Sequence, residues 1–138
     1  MKLALTYDDI QLVPKFSNVS SRTNVDLSCK ISKNYELAVP LVASCMDTVC
    51  GYDMLVSMNK MGGVGCLHRF MPIEEQARTI SKFRKEQWGA LSMAAIGVGE
   101  EGKKRAIALA SVGTHILVID VAHGHHENVI NMIKWCKE

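Results

Sequence analysis

The chain has 138 residues, 48% of them hydrophobic and 22% charged, with a formal net charge of +2. That length fits one domain with a real core, and the balance is that of a globular protein rather than a disordered or fibrous one. So small a charge gives no reason to expect nucleic acid or a membrane surface as partner, and charged residues break every apolar run short of the roughly 18 residues a membrane span requires. Asp8 interrupts the opening before a signal-peptide core can form, so a cytoplasmic location is expected. Cys29, Cys45, Cys50, Cys66 and Cys136 form an odd set without CxxC spacing and read as reduced, mostly buried thiols.

Residues 1–37 hold an apolar patch (Ile10, Leu12, Val13) broken by Pro14, then polar sequence through Arg22 and a short amphipathic piece from Val25 to Ile31. This is an irregular arm that must pack on something else. A buried strand is expected from Ala38 to Ser44, ending in Cys45, Met46, Asp47 and Thr48, the last two read in part as caps for the next helix. Gly51 and Tyr52 open that helix, with Met54, Leu55, Met58 and Met61 on one face, and Gly62 and Gly63 stop it. A second strand, Gly63 to Leu67, ends in His68 and Arg69. A helix then opens near Met71 and Pro72, with Glu74 and Glu75 in its first turn where the dipole favours them. It runs to about Gln87, its stripe set by Ile73, Ala77, Ile80 and either Phe83 or Arg84.

Leu91 to Val98 reads as the third strand and Glu100 to Ser111 as the third helix, closed by Gly113. The fourth unit lies in HILVIDVAHGHH, His115 to His126. Its successive apolar residues Ile116 to Ile119 read as a strand buried on both faces, followed by Asp120 and a polar, Gly-interrupted loop. A helix resumes at Glu127 with Val129, Ile130, Ile133 and Cys136 on one face. Strands beginning near Ala38, Gly63, Leu91 and His115 give a βα period of about 25 residues, that of a (βα)8 barrel built at ~250 residues. The fold class is therefore α/β, the first four βα units of such a barrel. Four strands cannot close at barrel curvature, so the chain either forms a small open sandwich or is completed by a second half.

In parallel α/β folds ligands bind outside the carboxyl ends of the strands. Ser44 and Asp47, His68 and Arg69, Gly97 and Gly99, and Asp120, His123 and His125 are all expected on that rim. Asp120 follows four apolar residues and needs hydrogen-bonding partners, either ribose hydroxyls or a neighbouring protein donor. His123 and His125 invite a metal reading for which further ligands are needed, and a metal-dependent hydrolase using His68, Asp120, His123 and His125 is one alternative function. His126 is placed at a helix start facing solvent and His115 on the opposite rim in a structural role. Gly97-Val98-Gly99 lacks the remaining glycine of GxGxxG, which argues against a Rossmann site and for a turn allowing close approach. Cys45 and Cys66, near strand ends without an adjacent base, read as buried thiols rather than nucleophiles.

LTYDDIQLVPKFSNV, VDLS, PLVASCMDTV, GGVGCLHRFMPIEEQ, AAIGV and ILVIDVAHGHHENVINMIKW, in this order, resemble the amino-terminal half of the IMP dehydrogenase and GMP reductase family over nearly the whole chain. The resemblance implies a (βα)8 barrel, usually tetrameric, acting on a purine nucleotide and a nicotinamide cofactor. For a dehydrogenase it implies oxidation of IMP to XMP with NAD through a covalent thioimidate on a cysteine, with potassium near the cysteine loop. Carried over, Ser44 and Met46 match positions near the bound nucleotide, Met46 against the base. Asp120 matches the acidic residue that holds the ribose hydroxyls of the cofactor's nicotinamide half, Ala122 and His123 lie beside it, and His68 matches a position lining the cofactor region.

Two departures accompany the likeness. The regulatory modules of the cystathionine-synthase type that most IMP dehydrogenases carry between the second helix and third strand are replaced by the direct connection Arg84 to Gly89, so residues 1–138 form one domain without that insertion. The phosphate-binding glycines, catalytic cysteine loop, potassium site and flap with its general base are expected beyond Glu138, so no catalytic residue and no metal ligand is assigned here. The expected partner is a complementary carboxyl-terminal half-barrel within a homo- or hetero-oligomer, and the isolated chain is expected to be inactive. Reductases typically read ANMDTV where this chain has SCMDTV, which leans toward a dehydrogenase. A GMP reductase half-barrel and a non-catalytic nucleotide-binding half-barrel are further alternatives.

Overall fold

A computed structural model describes residues 2–138. Two single 3-10 turns, Tyr7–Asp9 and Arg22–Asn24, punctuate an otherwise extended arm whose apolar side chains, Leu3, Tyr7, Leu12 and Phe16 among them, are exposed. A short antiparallel hairpin follows, β1 (Cys29–Lys30) and β2 (Glu36–Leu37), with Cys29 opposite Leu37. It then gives way to four βα units: β3 (Val42–Ala43), α1 (Tyr52–Lys60), β4 (Val64–Leu67), α2 (Ile73–Glu86), β5 (Met93–Ile96), α3 (Gly99–Ser111), β6 (Ile116–Ile119) and α4 (Glu127–Lys137).

The four strands form one parallel sheet in sequence order, β3-β4-β5-β6. Val42 pairs with Val64, Cys66 with Met93, and Met93 to Ile96 with Ile116 to Ile119. This is an α/β fold with the strand order and handing-on of a partial (βα)8 barrel. Period-2 alternation divides the strands between two cores. Leu67, Ala94 and Ile96 meet Leu55, Ile80, Phe83, Ala106, Leu109 and Met132 of the helices. Val64, Cys66, Met93 and Ala95 point the other way, onto Leu37 of the hairpin with Cys29 and Ile31 beside it. Each fully buried large side chain of the helix-side core, such as Phe83 or Ile80, contributes roughly 1.5–3 kcal/mol over an exposed one.

The helices end where their residues require. Gly62 takes φ +83, a conformation without steric cost only for glycine, and stops α1. The acidic first turns and basic last turns of α1 and α2 match the helix dipole.

Several expectations need correction. The first strand is two residues long and partly exposed, not Ala38 to Ser44: Pro40 has no N–H for a ladder, and the preceding segment is tied instead by the Val39 N–H to the Gly62 carbonyl at 3.0 Å. β6 is half-buried along its whole length rather than buried on both faces, because only β5 pairs with it among the described residues. Met61 is 58% exposed at the end of α1. In α2 Phe83, not Arg84, is buried, and the polar Gln76 joins it. α4 buries Val129 and Met132, whereas Ile130, Ile133 and Cys136 are exposed. The β1–β2 hairpin, two residues per strand, is an addition to the irregular arm expected over residues 1–37. Asp47 and Thr48 do not cap α1, whose N-cap is Gly51, three residues further on than Thr48.

Candidate functional site

All four strands run the same way, so the residues following each strand share one edge of the sheet. Ser44 and Met46 follow β3, His68 and Arg69 follow β4, Gly97 to Gly99 follow β5, and Asp120, Ala122 and His123 follow β6. The rim reading of Ser44, His68 and Asp120 thus corresponds to a single face of the molecule.

The centre of that face is an ion pair. Arg69 Nε lies 3.4 Å from Asp120 Oδ2, and Arg69 Nη2 donates to the Asp120 backbone carbonyl at 3.2 Å. Both side chains are about a third exposed, 31% for Arg69 and 32% for Asp120. The carboxylate is therefore held by a protein donor yet open on one side, with lone pairs left to accept from hydroxyls. Its backbone is fixed as well, the Asp120 N–H donating to the Ile96 carbonyl at 2.9 Å. The guanidinium also lies over the Phe70 ring, 5.4 Å from its centroid. Sequence reasoning set Arg69 on the rim without giving it a task. The signal was the requirement that a carboxylate emerging from an apolar strand find a donor.

His68 is 9% exposed, with Nδ1 accepting from the Phe70 N–H at 3.2 Å and its ring stacked on Phe70. That contact fixes the tight turn that carries Arg69. Ser44 is exposed and Met46 is 52% exposed. The Met46 carbonyl accepts the N–H groups of Val49 and Cys50 at 3.0 and 2.9 Å, so the residues after β3 form a compact turn with the Met46 side chain outward. At the end of β5, α3 begins hard against the turn: a Cβ on Gly102 would meet the Gly97 carbonyl oxygen at 2.5 Å, a separation only glycine permits.

Ala122, His123 and His125 are exposed in the loop before α4, and His126 caps that helix, its Nδ1 accepting from the Asn128 N–H at 3.1 Å. A cleft lined by Val98, Val121, His123, His126, Asn128 and Val129 opens along this loop. Among the described residues no three His, Cys, Asp or Glu side chains come together as metal ligands, so His68, Asp120, His123 and His125 do not form the constellation a metal-dependent hydrolase would need.

The thiols near the rim are poor nucleophiles. Burial and then the Asp120 charge push the Cys45 thiol up; burial does the same to Cys66, and carries Cys50 up to about 11. A raised thiol pKa lowers the fraction of thiolate, the attacking form, at neutral pH. His115 sits on the far edge, as expected, bracketing the starts of β5 and β6: its Nδ1 lies 2.8 Å from Ser92 Oγ and accepts the Ser92 N–H at 3.0 Å. Among the described residues no helix is long and apolar enough to cross a membrane.

A parallel βα array whose strand ends gather an oriented carboxylate and polar side chains is the architecture of a barrel-type enzyme. The family model described as "IMP dehydrogenase / GMP reductase domain" matches residues 4–138, and the chain belongs to this oxidoreductase family. Inosine-5'-monophosphate dehydrogenase of Nitrosopumilus maritimus is 44% identical over 61% of this chain and 18% of its own length. GMP reductase of Leishmania donovani is 48% identical over 60% of this chain and 17% of its own length. Inosine-5'-monophosphate dehydrogenase of Cryptosporidium parvum is 33% identical, aligned over 96% of this chain and 43% of its own length. The chain thus spans less than half the length of these curated relatives.

Proposed function

We propose that this chain is the amino-terminal half of an IMP dehydrogenase barrel, binding IMP and NAD for the oxidation of IMP to XMP. The observation that carries this reading is Asp120, an open carboxylate at the end of β6 whose orientation is set by Arg69. When bound, NAD would supply the hydride acceptor for oxidation of the nucleotide. Asp120 would accept hydrogen bonds from the ribose hydroxyls of the cofactor's nicotinamide half, with Ala122, His123 and His68 as further cofactor contacts. Ser44 and Met46 contact the purine nucleotide, the exposed Met46 side chain lying against the base. The attacking cysteine, its potassium ion and the base that activates water would come from the complementary carboxyl-terminal half-barrel. The connection Gln87 to Ser92 carries no regulatory module. The completed enzyme works as an oligomer in the cytoplasm.

The second reading is a GMP reductase, supported by 48% identity to the Leishmania donovani enzyme. The test is to assemble the chain with a complementary carboxyl-terminal half-barrel and follow nicotinamide absorbance. IMP with NAD should give turnover only in the assembled protein. Turnover by the chain alone overturns the half-barrel reading, and reaction of GMP with reduced cofactor in place of IMP oxidation overturns the dehydrogenase.

A further inference from the structure

Directly beneath the rim lies a buried polar cluster that the proposed chemistry does not use. Gln76 of α2 is fully buried, and its amide nitrogen donates to the carbonyls of His68 at 3.0 Å and Ala95 at 2.9 Å, with that of Leu67 at 3.5 Å. Its amide oxygen accepts from Arg105 Nη1 at 2.9 Å. Arg105 of α3, itself 6% exposed, donates onward to the Met71 carbonyl at 3.1 Å and twice to Glu101 Oε1, at 2.8 and 2.6 Å. One amide group therefore joins the ends of the two central strands, and one guanidinium locks that amide to the turn after β4 and to α3.

A buried glutamine and arginine cost more to desolvate than an apolar pair of the same volume, unless all their bonds are made. Among the described residues no buried side-chain nitrogen or oxygen lacks a partner, and the partners of the Gln76 amide nitrogen are backbone carbonyls at the strand ends. The His68 carbonyl precedes Arg69, which orients Asp120, while Ala95 precedes Ile96, whose carbonyl holds the Asp120 N–H. Both routes end at one carboxylate.

We infer that Gln76, braced by Arg105 and Glu101, is a positioning residue that sets the Arg69–Asp120 pair for the cofactor's ribose. The cluster touches no ligand and works through strand ends β4 and β5. The cluster makes no hydrogen bond to Ser44 or Met46 themselves; its link to the turn after β3 is the long bond from the His68 N–H to the Cys50 carbonyl at 3.4 Å. This rests on the reading of Asp120 as a cofactor contact, and the test separates the two.

The first measurement is hydrogen exchange on the full 138-residue chain carrying Gln76→Met, which keeps volume and removes the amide. The rim amides of His68, Phe70 and Asp120 should exchange about ten-fold faster or more, while those of His115 and Ile116 at the opposite edge keep their rates. Equal change at both edges, or none, overturns the inference whatever the ligand. The second measurement is binding to the barrel assembled from both halves. NAD affinity should fall about ten-fold, the size expected when one hydrogen bond is misplaced, and IMP affinity less than about three-fold. An equal loss for both ligands overturns the inference; a wild-type barrel that binds neither overturns the functional reading, and the exchange data still decide the clamp. Should Gln76→Met not fold, Glu101→Gln, at a half-exposed carboxylate, is expected to show the same rim-selective exchange at smaller size, and an unselective result there is equally decisive.

Discussion

β5 and β6 are both four apolar residues long and opposite in circumstance. Met93-Ala94-Ala95-Ile96 is buried at every position, whereas Ile116-Leu117-Val118-Ile119, the more apolar of the two, is half-exposed at every position. β5 has β4 on one side and β6 on the other; among the described residues β6 has β5 alone. Composition specifies what a strand is able to bury, and its neighbours decide how much it does bury. β6 carries the hydrophobicity of a central strand while standing at the edge of the described sheet.

Substitution on the two strands sharpens this contrast most. Ile96→Ala should cost about 2–5 kcal/mol in a urea unfolding experiment, because the cavity opens against Phe83 and Leu109. Ile119→Ala should cost about half as much in the chain alone and approach the Ile96→Ala value once a complementary half-barrel is added. Equal costs without the partner would show that β6 is already covered.

A smaller effect is expected at the strand tips. Asp120→Asn should weaken NAD binding to the assembled barrel by about ten-fold, with IMP nearly unaffected, since it removes the charge that Arg69 orients and that the hydroxyls share. Arg69→Met should reproduce part of that loss. If both ligands weaken alike, the division of the rim into a cofactor side and a nucleotide side is wrong.

The smallest effect lies at the opposite edge. Burial, with the nearby Arg84 charge, holds the His115 imidazole below its ordinary 6.5, and Nδ1 is an acceptor for Ser92. The unfolded chain takes up a proton near pH 6.5 that the folded chain refuses, so this stabilisation is complete above that pH and declines as pH falls below it. Thermal melts between pH 7.5 and pH 5 should show this decline, and His115→Gln should flatten it. Unchanged slopes would dismiss the bracket between β5 and β6 as a titrating element.

What the sequence disclosed follows the same division. β4, β5, β6, α2 and α3 were legible because apolar runs, acidic first turns and glycine stops recur over enough residues to establish a period. The β1–β2 hairpin was not, since two residues per strand carry no periodicity. Rim placement of Ser44, His68 and Asp120 followed from parallel topology alone, but the Arg69 partner is 51 positions from Asp120 and no local pattern joins them. Gln76 was invisible for a related reason: a polar residue on an amphipathic helix reads as solvent-facing until the backbone carbonyls it serves are in view.

The hairpin has one more consequence. Leu37 with Cys29 and Ile31 rests on Val64 and Met93 where the central strands begin, so the inner side of the sheet is stoppered there.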